Sequence, residues 1–214
     1  MSKYLESIDP RLVLLQYGMN VPIGTPSHLL SRVASSLQHL NPELVKDCGI
    51  KTLGFKDLGP SRELYPNHGL YVNDKLFLNS QLVDDPTIYE DTSTGKRLDT
   101  FDHILYHELG HGWDVQKGGG TELSLQPEWL GLSGWVNSPI PGKVKVIIQD
   151  KDEQEPLEDH GWYYDPGSRF VRYYARWNPW DDFADTFSFL VAGMKGFLPE
   201  AKKAYFDHLM KDYI

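Results

Sequence analysis

The segment His107-Glu108-Leu109-Gly110-His111 is where the residue types and their spacing point to chemistry. Two histidines four residues apart on a helix share one face, so both imidazoles can reach a single ion at about 2.0–2.1 Å from each nitrogen. Glu108 stands beside the first of them and can address a water on that ion rather than the ion itself. The pattern H-E-x-x-H has this mechanical meaning: two zinc ligands and a general base. A tetrahedral catalytic zinc also needs a third protein ligand and one position left for water.

A third histidine is not supplied at the H-x-x-G-x-x-H spacing, because position 117 is Lys. The candidate lies in the run Asn178-Pro-Trp-Asp-Asp-Phe-Ala-Asp-Thr-Phe187, where Asp181 and Asp185 are four apart and share one helical face. Carboxylates on the polar stripe of a helix are most often solvated. Asp181, at the third helical position, could also serve only as a capping partner for Asn178. Beside the two histidines, the pair gains a second use: one carboxylate as third ligand, the other as acceptor for an imidazole N–H. His103 lies on the face of His107 and His111, but ligands at i, i+4 and i+8 cannot converge on one ion; it reads as a neighbour of the site or a surface residue. His160 reads as a loop residue. Gly-Leu-Ser-Gly-Trp at 131–135 lacks the second glycine of a serine-hydrolase elbow, and Gly118–Gly120 lacks the Lys-Ser/Thr of a phosphate loop.

The elements that must position these groups are read from periodicity and punctuation. Thr25-Pro26 opens a helix with Leu29, Leu30, Val33, Leu37 and Leu40 at helical spacing, and Asn41-Pro42 stops it. Residues 69–72 and 75–78 flank Asn73-Asp74 as a β-hairpin with a two-residue turn. A polar stretch from 84 to 96 reads as loop. The zinc helix should start at Asp99 or Thr100, carry Phe101, Leu105, Leu109 and Trp113 in one apolar row, and end at Gly118–Gly120. Residues 121–142 read as a structured loop, 144–148 as a strand, and the acidic run 150–159 as a solvated loop. Asn178-Pro179 opens another helix with Phe183, Ala184, Phe187, Leu190 and Val191 inward, and a last helix runs from about Pro199 to Tyr213. Trp113, Trp129, Trp135, Trp177 and Trp180 crowd around both motifs and read as core or cleft wall. The order is α+β rather than alternating β-α-β, in one domain over 1–214, with a helix and sheet part to about 120 and a helical part beyond.

Composition narrows the function classes. Among 214 residues, 21 basic and 30 acidic side chains leave a net charge of −9, which opposes a surface for nucleic acid. No apolar run approaches the length of a membrane span. Cys48 is alone, so a disulfide within the chain and a cysteine-based zinc site are both excluded. The opening residues carry only a short apolar-leaning stretch, so the default address is cytoplasmic, with signal-independent export leaving no trace in the sequence.

HELGHGWD followed by YARWNPWDDFADTF resembles the gluzincin metallopeptidases, in particular the anthrax-lethal-factor-like group that includes the small Pro-Pro endopeptidases. The likeness follows the order of elements over roughly residues 70–195, with specific matches at 107–114 and 174–187. It implies a zincin-like fold, with a small mixed sheet, an active-site helix and a C-terminal helical lobe. It implies a zinc-dependent metalloendopeptidase that acts on protein or peptide, with Zn2+ held by His107, His111 and Asp181. In that pattern Asp185 orients an imidazole, Asp114 ends the first motif, and Tyr174, seven residues before Asp181, is the catalytic tyrosine beside Glu108. Both acidic residues of the family's second motif are Glu, whereas here they are Asp, one methylene shorter; either the helices approach more closely or Asp182 is the ligand. Strand 75–78 resembles the edge strand on which such enzymes lay an extended substrate. The rival readings are a non-catalytic zinc protein with a closed site and a nucleic-acid-associated protease.

Overall fold

The computed structural model describes residues 9–56, 69–85, 87–146, 148–149, 156–158 and 161–213. His160 and most of the acidic run 150–159 lie outside the described residues. Three helices come first: α1 (Pro10–Gln16), α2 (Ser27–Leu37) and α3 (Pro42–Asp47). Asn41-Pro42 does stop α2 as expected, but it also starts α3: the Asn41 side chain accepts from the Glu43 N–H and Pro42 takes the first turn. The same device, with Asp9 and Pro10, makes α1, which the periodicity did not reveal.

Strands β1 (Thr52–Lys56), β2 (Gly69–Val72) and β3 (Lys75–Asn79) form a mixed sheet in the order β1-β3-β2. β1 runs parallel to β3 with Leu53 opposite Leu76, and β2 runs antiparallel to it with Tyr71 opposite Leu76. The β2–β3 turn is the expected one: Asn73 and Asp74 take φ of 49° and 61°, the left-handed pair that a tight two-residue hairpin demands. Strand 75–78, expected at the edge of its sheet, is not there. β3 is the middle strand, and among the described residues the two edges of this sheet are β1 and β2. The register explains this, because β1 pairs with the side of β3 that the hairpin leaves open.

The polar stretch 84–96 is also more ordered than expected. It contains β4 (Ile88–Asp91), which pairs antiparallel with β5 (Lys96–Asp99). Asp91 closes their turn by accepting from Ser93 and, across the chain, from the Gly196 N–H. β5 leads directly into α4 (Thr100–Lys117), whose N-cap Asp99 accepts from the Asp102 N–H. Residues 121–142 contain α5 (Pro127–Ser133), bounded by a first-turn proline and the left-handed Gly134. The strand expected over 144–148 is divided into β6 (Val144–Lys145) and β7 (Ile148–Gln149), which pair with β9 (Tyr163–Tyr164) and β8 (Pro156–Glu158). The last two helices are α6 (Pro179–Val191) and α7 (Glu200–Leu209), the latter shorter than its amphipathic pattern suggested.

The described residues thus form a mixed α+β fold with small sheets. Its core lies where α4 and α6 cross. Phe101, Leu105, Leu109 and Trp113 are all buried, as are Phe183, Ala184 and Phe187, while Leu190 and Val191 are half-buried. Trp113 stacks on Phe183 with centroids 6.2 Å apart, and Phe206 of α7 closes the cluster 4.8 Å from Phe183. At the crossing itself there is no room for another side chain: a Cβ on Gly110 would lie 3.0 Å from the Ala184 Cα. Two small residues therefore let the helices approach closely. Among the described residues, no helix is long and apolar enough to cross a membrane.

Candidate metal centre

The close crossing of α4 and α6 brings the expected residues together. The Nε2 atoms of His107 and His111 are 3.0 Å apart, and Asp181 Oδ1 lies 3.6 Å from the first and 3.5 Å from the second. Ligands around a tetrahedral ion with bonds of about 2.0–2.1 Å stand about 3.3 Å from one another. The triangle therefore has the size that a small tetrahedral cation requires. Among the described residues, this is the group of acids and histidines that could hold a metal ion.

Each corner is positioned by its element. The two histidines follow from the i, i+4 spacing on α4. Asp181 is placed by the cap of α6: its N–H donates to Asn178 Oδ1 at 2.7 Å, and its Oδ2 accepts from Asn178 Nδ2 at 2.7 Å. The capping role and the ligand role are compatible, because Oδ2 faces the cap and Oδ1 faces the imidazoles. Burial acts to raise the Asp181 pKa, but His107 and His111 outweigh it and hold the carboxyl below the usual range.

Asp182 is turned away from this triangle. Its carboxylate is fully buried and accepts from Lys202 Nζ at 2.6 Å, Trp135 Nε1 at 3.0 Å and Ser133 Oγ at 3.2 Å. Burial pushes the Asp182 pKa up and that of Lys202 down, while each partner pulls the other back. Asp182 therefore ties α6 to α5 and α7. Lys202 shares the inward side of α7 with Phe206, four residues on, and that i, i+4 placement was the signal that could have found it.

Behind His107, Asp185 Oδ1 accepts from Nδ1 at 2.8 Å, which leaves the Nε2 lone pair directed at the triangle. Asp185 in turn accepts from Arg172 Nε at 2.7 Å, a residue that the sequence motifs do not contain. Burial alone would raise the Asp185 pKa; the Arg172 guanidinium and the neighbouring imidazoles hold it well below the usual carboxylate range. His103 is buried beside this network, with Nδ1 2.8 Å from Ser188 Oγ and Nε2 3.4 Å from Asp185 Oδ1. It is a neighbour of the site and contributes no corner of the triangle.

A cavity of about 330 Å3 opens over the triangle, and its lining includes Gly69, Tyr71, Glu108, Tyr174 and Trp180. Glu108 is buried, which raises its pKa; the nearby imidazoles and a hydrogen bond from the Tyr71 backbone oppose that rise. Tyr174 sits in the short turn just before α6, its ring centroid 5.8 Å from that of His107. Burial, reinforced by the Asp181 and Asp185 charges, pushes its phenol pKa up, so the hydroxyl keeps its proton. Tyr173 points to solvent at 60 % exposure, so the two adjacent tyrosines have different surroundings. Asp114 is buried one turn beyond His111 and accepts from the Ser124 N–H at 2.7 Å and its hydroxyl at 2.6 Å, which anchors the chain after α4.

Comparisons with models of known protein families, with curated proteins and with solved structures find no match to this chain.

Proposed function

We propose that this chain is a zinc-dependent metalloendopeptidase of zincin-like fold, acting on protein or peptide substrates. The observation that carries the proposal is the His107–His111–Asp181 triangle of tetrahedral size beneath a cavity lined by Glu108 and Tyr174. A zinc ion held by these three side chains supplies a Lewis acid that acidifies water and polarises a carbonyl. Glu108 takes the proton of the attacking water and delivers it to the leaving amine; its burial raises its basicity above that of an exposed carboxylate. The Tyr174 hydroxyl donates to the carbonyl oxygen as charge develops there. Asp185, held by Arg172, fixes the tautomer and angle of the His107 ring.

A closed structural zinc site would need a fourth protein donor and neither a base nor a phenol. The donors that gather among the described residues are three, and the cavity lies beside them. A role on nucleic acid is disfavoured by the net charge of −9.

The test is the cleavage profile of a peptide library, with and without a chelator. We expect defined internal cleavages that the chelator removes and added zinc restores. Cleavage that persists after metal removal contradicts the proposal.

Tyr174→Phe keeps the ring and its packing, so zinc content and stability should barely change. The rate should fall by about ten- to a thousandfold, as for loss of one oxyanion donor, with little change in KM. Tyr173→Phe, at an exposed ring, should be near neutral. Wild-type turnover in Tyr174→Phe would remove the tyrosine from the chemistry.

A further inference from the structure

The first residue of edge strand β2 lies against the carboxylate to which we assign proton transfer. A Cβ built on Gly69 would stand 2.6 Å from Glu108 Oε1, 2.7 Å from its Cγ and 2.9 Å from its Cδ. Ordinary contacts between such atoms are about 3.5–4.0 Å. Gly69 is not among the glycines at positive φ, so its backbone conformation is open to any residue. Conformational freedom therefore does not account for a glycine here; the space does. Glu108 has little room to yield, being only 6 % exposed and hydrogen-bonded by the Tyr71 backbone. Two residues of one strand thus act on it together, Tyr71 with a donor and Gly69 with a vacancy.

We propose that Gly69 is a positioning residue for Glu108: the missing side chain is what lets the carboxylate sit in the cavity beside His107 and His111. The inference rests on the reading of Glu108 as the general base. Alanine at 69 would displace the carboxylate by on the order of 1 Å, and a misplacement of that size costs about a hundredfold in rate.

The experiment combines kinetics with a double-mutant cycle. In Gly69→Ala, kcat should fall about a hundredfold with KM little changed, while bound zinc stays at the wild-type level. The cycle uses chemical denaturation of the metal-free protein, so it does not depend on activity. Gly69→Ala should lower the unfolding midpoint of the wild-type chain, and the shift should vanish in the Glu108→Ala background, where nothing is left to collide. Equal shifts in both backgrounds would mean that the methyl disturbs the strand and not Glu108, which overturns the proposal. So would wild-type turnover in Gly69→Ala. Failure of the protease reading looks different, because then Glu108→Gln itself leaves cleavage unchanged, whatever the cycle reports.

Discussion

Glu108→Gln should bind zinc as the wild type does and cleave peptides at least about a hundredfold more slowly. The amide keeps the volume of the side chain and its contacts with β2, and Glu108 is not a corner of the His107–His111–Asp181 triangle. What is lost is the ability to accept a proton. In wild type that ability is strengthened by burial, which lifts the carboxyl pKa against the pull of His107 and His111. The effect should fall on kcat and on kcat/KM alike, because the interaction belongs to the transition state. Side-by-side metal analysis and steady-state kinetics check it. A variant with wild-type turnover on the best substrate contradicts the assignment, and one that loses its zinc would place Glu108 among the ligands.

The second large effect separates two adjacent carboxylates. Asp182→Ala leaves the Lys202 ammonium buried without its partner, and Trp135 and Ser133 without their acceptor. Breaking a buried pair from one side costs about 3–5 kcal/mol. The denaturation midpoint should drop steeply, and protein that remains folded should still bind zinc. Asp181→Ala should do the opposite. It leaves the backbone cap on Asn178 in place, removes only the side-chain hydrogen bond from Asn178 Nδ2, worth about 1 kcal/mol, and abolishes the third corner of the triangle. A variant Asp182→Ala that unfolds like wild type but loses zinc would mean that the ligand has been assigned one residue too early.

That choice was open in the sequence for a physical reason. Asp181 and Asp182 both occupy the first turn of α6, and helical spacing alone pairs Asp181 with Asp185 without saying where Asp182 points. The answer depends on Lys202, twenty residues on, and on Trp135, forty-seven residues back. Arg172 is of the same kind: a single charge outside any motif, whose meaning comes from meeting Asp185. The caps Asp99 and Asn178, the apolar row from Phe101 to Trp113, and the Asn73-Asp74 turn each act within a few residues, and their elements stand where they were expected. The β4–β5 hairpin escaped because its strands are largely polar and its turn is held by Asp91 reaching Gly196. Helix α5 escaped because seven residues are too few for a period, although Pro127 and Gly134 marked both ends. The edge strand was misplaced because a hairpin does not reveal which of its two strands a third one will join.

The triangle itself is the claim on which the rest depends, and metal content measures it most directly. After dialysis against metal-free buffer, the wild-type chain should retain about one zinc per molecule, as three protein ligands on two packed helices require. His107→Ala, His111→Ala and Asp181→Ala, each verified as folded, should retain far less. Equal zinc in the wild type and all three variants would contradict the account.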